Sequence, residues 1–227
     1  MALRAIVFDF DGVIADSEPL HFRAFRDVLA RSGVHLSEKD YYARYLGFDD
    51  VGVFRTVGAE LGTSWTMRDV ATMVADKAMR LEEIERDVSV LFPGAADAIR
   101  RAAAAVPIAI ASGALGPEIR RILNHADLTK YFSAIVSAED TPASKPAPDP
   151  YVRAVALLRE QMPGAELQPN ECVAVEDSRW GLESAREAGL RTVAVTNSYD
   201  ASELTEADLI IGSLTELDID HLRRLLD

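Results

Sequence analysis

A chain of 227 residues is long enough for one sizeable domain, or for a core with a smaller companion. Its 24 Lys and Arg face 37 Asp and Glu, a net charge of -13, which argues against nucleic acid or an anionic membrane surface as a partner. With Cys172 as its one cysteine the chain forms no internal disulfide, and the apolar run CVAV around it predicts a small core hydrophobe.

The N-terminal segment MALRAIVFDFDG is charged too soon for a secretory signal, and no apolar run is long enough to cross a membrane. A cytoplasmic protein is expected. The first predicted strand, Ala5 to Phe8, runs into Asp9-Phe10-Asp11-Gly12. Continued alternation places Asp9 and Asp11 on one side of the strand and Phe8 and Phe10 on the other. Two carboxylates that close raise each other's pKa unless a cation lies between them. The pair predicts a metal site; a turn or helix cap, which needs only one such Asp, is the plainer alternative.

From about Glu18 to Val88 the pattern is helical throughout: Leu20 to Arg31, closed by Gly33; Ser37 to Tyr45; Val51 to Leu61; and Thr66 to Arg86. The last segment carries Val70, Val74, Lys77, Leu81 and Ile84 at helical spacing. This predicts a helical cap over residues 18–88, inserted into a core made of residues 1–17 and 89–227. The chain rejoins the core at Leu91-Phe92-Pro93-Gly94, residues suited to re-entry and a helix start.

Beyond the insert, short apolar runs recur at Ile108 to Ala111, Ala134 to Val136, Val173 to Val175, Thr192 to Val195 and Leu209 to Ile211. Helical stretches lie between them, among them Ala95 to Ala105, Pro150 to Arg159 and Gly181 to Ala188. Apolar strands with little alternation, separated by helices, predict an α/β fold with a doubly wound parallel sheet covered on both faces.

Ligands of open α/β sheets bind beyond the carboxyl ends of the strands. Those ends read Asp9-Phe10-Asp11-Gly12, Ser112-Gly113 and Glu176-Asp177-Ser178, so four carboxylates and a hydroxyl converge on one edge. A further element is SKPAPDPY, residues 144–151, in which prolines 146, 148 and 150 stiffen the loop that carries Lys145. Asp149 before Pro150 is the expected N-cap of the next helix.

DFDGV at 9–13, ASG at 111–113, KPAPDP at 145–150 and VEDS at 175–178 resemble, in order, the four motifs of the haloacid dehalogenase-like hydrolase superfamily. The likeness covers essentially the whole chain and is nearest to the β-phosphoglucomutase and phosphoglycolate phosphatase branch with a helical cap. It implies a Rossmann-like core and a Mg²⁺-dependent reaction. Asp9 is the implied nucleophile, giving an aspartyl-phosphate, and Asp11 the implied acid and base. The implied cation ligands are Asp9, the backbone carbonyl of Asp11 and Asp177, with Glu176 a ligand or a partner of one. Ser112, the amide of Gly113 and Lys145 are implied to hold the phosphoryl group.

Within that family Asp11 argues against a true dehalogenase. SEPLHF, with Glu18 and His21, is similar to a hinge shared by mutases and small sugar phosphatases. The mutases place an Arg in the cap for a second phosphate; here the stretch reads Leu46-Gly47-Phe48-Asp49-Asp50-Val51, leaving Arg55 or Arg44 as substitutes. Lys77 is read either as a snorkelling side chain or as a substrate contact, and His21 as orienting the leaving group or stabilising the hinge. Trp180 is expected to pack, Ser178 to cap a helix, and His35, His125 and His221 to be solvated. The expected activity is hydrolysis of small phosphomonoesters such as sugar phosphates. A phosphomutase is the alternative, and a non-catalytic phospho-ligand-binding protein the remote one. Oligomeric state is left undetermined by the sequence.

Overall fold

The computed structural model describes residues 2–45, 48–63, 65–85, 89–162 and 166–226. The chain enters strand β1 (Ala5–Phe8) and passes into the helices α1 (Glu18–Arg31), α2 (Glu38–Arg44), α3 (Asp50–Glu60) and α4 (Met67–Glu85). It continues through α5 (Ala95–Ala105), β2 (Ile108–Ala111), α6 (Gly116–His125), β3 (Phe132–Val136), α7 (Asp149–Glu160) and β4 (Cys172–Glu176). The last elements are α8 (Arg179–Glu187), β5 (Arg191–Val195), β6 (Leu209–Ile211) and α9 (Ile219–Arg224). Two compact units result, one of Met1–Asp16 with Val90–Asp227 and one of Ser17–Ser89.

Among the described residues of the first unit six parallel strands form one sheet in the order β3-β2-β1-β4-β5-β6. This is a Rossmann-like α/β fold. The central strands β1, β2 and β4 are buried along their whole length, which is why they read as unbroken apolar runs. Alternate residues, Ala5 and Val7, Ala109 and Ala111, Cys172 and Ala174, form one face and pack against Tyr151, Ala154, Val155 and Leu158 of α7. Cys172 is buried there as expected, and burial pushes its thiol up to about 12. Strand order reverses between β1 and β4, and a crevice at such a switch point is where doubly wound sheets bind ligands. No helix among the described residues is long and apolar enough to cross a membrane.

Regular strand geometry stops at Phe8, one residue before the acids, so alternation does not carry through Asp11 as the sequence pattern implied. The chain curls instead. The Phe10 carbonyl accepts from the N–H groups of Ile14 (2.8 Å) and Ala15 (2.9 Å), and Gly12 takes a positive φ of 77° that a side chain would resist. Helix α7 also departs from expectation. Asp149 is its first residue and Pro148 its cap, because Pro150, which has no N–H to offer, can occupy the first turn.

The second unit has a core of its own, in which Phe22, Phe25 and Leu29 of α1 meet Tyr41, Tyr45, Val53, Phe54, Val57 and Val70. Ser37 caps α2 by accepting from the Asp40 N–H (3.1 Å), and Asp49 caps α3 by accepting from Gly52 (2.6 Å). Phe54 is fully buried, edge-on to Phe25 at 5.2 Å. Phe54→Ala is expected to lower stability by about 3–5 kcal/mol in urea unfolding, and a loss under about 1 kcal/mol would show that this core is not tightly packed.

Candidate active site

Asp9 follows β1 directly. Its N–H continues the ladder to Val175 (2.9 Å), and its carboxylate Oδ1 accepts from the Phe10 N–H (2.7 Å) and pairs with Lys145 Nζ at 2.8 Å. The same ammonium lies 2.6 Å from Glu176 Oε1. Tyr151 donates its hydroxyl proton to that oxygen at 2.7 Å, and its ring lies 5.3 Å from Nζ. The other Glu176 oxygen accepts from the Asp177 N–H and the Ser178 hydroxyl, both at 3.2 Å. Glu176, with no exposed surface, is therefore engaged by four donors.

The loop carrying Lys145 is held from α8, where the buried Ser184 donates to the Ala147 carbonyl at 2.6 Å. The Lys145–Pro146 peptide is cis. Ser178 caps α8, as its place in the sequence predicted, by accepting from Gly181 at 3.1 Å.

Asp9, Glu176 and Asp177 are all buried, and each offers an oxygen within 4.8 Å of the other two. Burial first, then the charge of Glu176, holds the Asp9 carboxyl well above the usual range. The same two causes push Asp177 up to about 6. Burial would lower the Lys145 pKa, but the charges of Asp9 and Glu176 outweigh it and raise it, so the ammonium is retained. Three carboxylates against one ammonium leave an excess of negative charge, and an all-oxygen donor set suits a hard divalent cation such as Mg²⁺. These residues fit that ion. Asp11 is not part of the triad; it is half-buried, and its backbone bridges to Ala15.

Ser112 directly follows β2, the strand next to β1, which leads into Asp9. It is buried and accepts from the Ala114 N–H at 3.0 Å, which leaves its hydroxyl proton available to an incoming oxygen. Beside Gly113 the space is open, with no atom within 4 Å of where a Cβ would stand. Three residues of this unit carried no site role in the sequence reading: Tyr151, Asn197 and Ser198. Tyr151 closes the SKPAPDPY motif, which was read for its lysine, its prolines and Asp149. Asn197 and Ser198 follow β5, and the rule that strand ends carry chemistry points to them as well.

In the helical unit Lys77 does not snorkel. It is 2% exposed, 2.9 Å from Asp50 Oδ1 and 2.8 Å from His21 Nδ1, with its ammonium 4.7 Å from the centre of the Phe25 ring. A paired lysine can stay buried where an isolated one cannot. Glu18 accepts from the Tyr41 hydroxyl, and burial together with that carboxylate raises the Tyr41 pKa. In the acidic stretch 46–51, Leu46 and Gly47 lie outside the described residues, as does Arg86. Arg44 pairs with Glu60, while Arg55 is exposed, five residues from Asp50 and hence on another face of α3. Trp180 does not pack: it is 52% exposed, because α8 buries Gly181, Leu182, Ser184 and Ala185. His35, His125 and His221 are exposed, as expected.

A family model described as haloacid dehalogenase-like hydrolase matches residues 6–195. Protein CbbY of Rhodobacter capsulatus is 32% identical over 95% of both chains. Hexitol phosphatase B of Escherichia coli (strain K12) is 31% identical over 94% of this chain and 93% of its own. Among solved structures, CbbY from Rhodobacter sphaeroides in complex with phosphate superposes with a TM-score of 0.78 at 26% identity, over 95% of this chain and 96% of that one.

A Cβ at Gly181 would stand 1.9–2.0 Å from the Glu176 carboxylate. Gly181→Ala is therefore expected to cost about 1–3 kcal/mol in urea unfolding, against less than about 0.5 kcal/mol for Gly113→Ala. Equal costs at the two positions would show that Glu176 is free to move. The raised Asp177 pKa gives a pH signature: the folded chain holds a proton that the unfolded chain releases, so metal-free stability falls as pH rises from 3.8 to about 6. Asp177→Asn is expected to flatten that part of the stability–pH curve, and an unchanged slope would exclude Asp177 as its source.

Proposed function

Because the chain belongs to the haloacid dehalogenase-like hydrolase family, we propose that it is a Mg²⁺-dependent phosphatase of small phosphomonoesters, with a sugar phosphate or similar metabolite as substrate. The observation that carries this reading is the buried chain from Asp9 through Lys145 to Glu176, beside Asp177. It sets a carboxylate nucleophile next to an ammonium able to share the charge of a phosphoryl group. A hexitol phosphatase among the relatives supports a polyol or sugar as the leaving group.

In the proposed reaction an Asp9 oxygen attacks phosphorus, the P–O bond to the substrate alcohol breaks, and Asp11 gives its proton to the departing oxygen. Asp11 then takes a proton from water. The resulting hydroxide attacks phosphorus, releasing inorganic phosphate and restoring Asp9. Ser112, the Gly113 N–H and Lys145 hydrogen-bond the phosphoryl oxygens. Asp9, the Asp11 carbonyl and Asp177 would hold Mg²⁺, whose charge would offset that of the phosphoryl group. The four donors on Glu176 favour its holding Lys145 in place over its ligating the ion.

We assign Glu18 and His21 to the hydroxyl groups of the substrate alcohol, as the hinge resemblance implies, and Lys77, buried and paired with Asp50 and His21, to holding His21 in place. In the stretch 46–51, where the resemblance implies that a mutase carries an Arg for a second phosphate, residues 49 and 50 are acidic instead, and Asp50 is paired with Lys77. Hydrolysis is therefore preferred to phosphoryl exchange.

Phosphate release measured with and without Mg²⁺ over sugar phosphates, hexitol phosphates, phosphoglycolate and an aryl phosphate tests the reading. Metal-dependent release is expected with hexitol or sugar phosphates, and Asp9→Asn is expected to lower it by about a thousandfold or more. Release that survives in Asp9→Asn would remove Asp9 as the nucleophile. No release from any ester by a folded, Mg²⁺-loaded protein would overturn the phosphatase reading.

A further inference from the structure

The turn after β5, TNSY at residues 196–199, reaches two of the elements assigned above to the cation. Register places it there: Ala194 of β5 lies opposite Glu176 of β4, so residues beyond Val195 emerge at the same sheet edge, beside Asp177. From this turn the Ser198 hydroxyl donates to Asp177 Oδ2. One residue earlier, Asn197 donates its side-chain amide to the Gly12 carbonyl at 2.7 Å.

Each contact removes a freedom that the acid-bearing segments would otherwise have. Gly12 sits at φ 77° directly after Asp11, and glycine makes that turn possible but contributes no stiffness to it. Fixing the Gly12 carbonyl fixes the peptide plane that follows, and through one residue it restrains the plane bearing the Asp11 carbonyl. A Cβ on Gly12 would stand 1.9 Å from Asp177 Oδ2, so this loop and this carboxylate lie against each other. Ser198 occupies that same Asp177 oxygen with a donor, which sets the rotation of the carboxylate and leaves its other oxygen to a cation.

We propose that Asn197 and Ser198 form a positioning turn for the divalent cation, Ser198 aiming the Asp177 carboxylate and Asn197 bracing the loop that presents the Asp11 carbonyl. The inference rests on the Mg²⁺-dependent reading above. It assigns metal affinity to two residues that are not themselves ligands and touch no substrate atom. Hydrogen-bond partners of metal ligands commonly govern affinity in this way.

Calorimetric titration of the full-length protein with Mg²⁺ alone, in the absence of any phosphoester, reads the effect directly. Ser198→Ala and Asn197→Ala are each expected to weaken Mg²⁺ binding by about tenfold or more. Ser198→Thr, which keeps the hydroxyl, is expected to stay within about threefold of wild type. Ser198 is exposed, so Ser198→Ala should leave the metal-free melting temperature within about 2 °C, separating a positioning role from a folding one. Phosphate release by the alanine variants is expected to recover at saturating Mg²⁺. Affinities within about twofold of wild type in both alanine variants would overturn the role of the turn while leaving the phosphatase reading standing. A wild-type protein that binds no Mg²⁺ would overturn the turn and the metal together. A wild type that binds Mg²⁺ but hydrolyses no ester would remove the phosphatase reading without touching the turn.

Discussion

Lys145 brings positive charge to a sheet edge where three carboxylates are buried, and much of the first unit is arranged to keep it there. Its ammonium bridges Asp9 and Glu176, faces the Tyr151 ring, and stands on a loop tied by Ser184 to α8. Removing one partner of such a buried pair typically costs about 3–5 kcal/mol, because the other charge is stranded away from water. Glu176 is the hinge of the arrangement. It has no exposed surface and is fully occupied by donors, so it serves as a fixed counter-charge, and Gly181 is the residue that leaves room for it. Three buried carboxylates against one ammonium leave negative charge at that edge which Lys145 does not balance.

Strand order turns these local pairings into a single site. β1 and β4 are neighbours, so Asp9 and the Glu176-Asp177 pair meet although they lie far apart in sequence. β2 on one side contributes Ser112 and β5 on the other contributes Asn197 and Ser198. Each of these residues begins where a buried apolar run ends.

Much of this was legible in the sequence for reasons that are local. Unbroken short runs such as AIVF, IAIA and CVAV, set between helical stretches, read as strands covered on both faces, and the polar residues that follow them fall at strand ends. What was hidden depended on distant partners. Nothing near Lys77 in sequence reveals that Asp50 and His21 will neutralise and bury it. Asn197 and Ser198 look like any polar turn until Asp177 and Gly12 are beside them. Tyr151 packs its ring into the core, and only the fold reveals that its hydroxyl reaches Glu176. Trp180 fell the other way: at the start of a helix it was expected to pack, but the buried stripe of α8 passes it by.

The places where the chain leaves the first unit and returns to it lie side by side. Ala15 bridges Leu91 in antiparallel fashion, the Asp16 N–H donates to the Val90 carbonyl at 2.7 Å, and the Phe92 N–H donates to the Ile14 carbonyl at 3.0 Å. Seen from the sheet, the whole excursion through residues 17–89 is one closed loop on a two-strand stem. Closing a loop costs only about 0.6 kcal/mol more for each doubling of its length. Since the excursion carries its own apolar core, its length and sequence can drift, or be exchanged for another insert, without altering the register of β1 against β4. A chain built on such a stem can renew residues 17–89 while its acids and its lysine stay where they are.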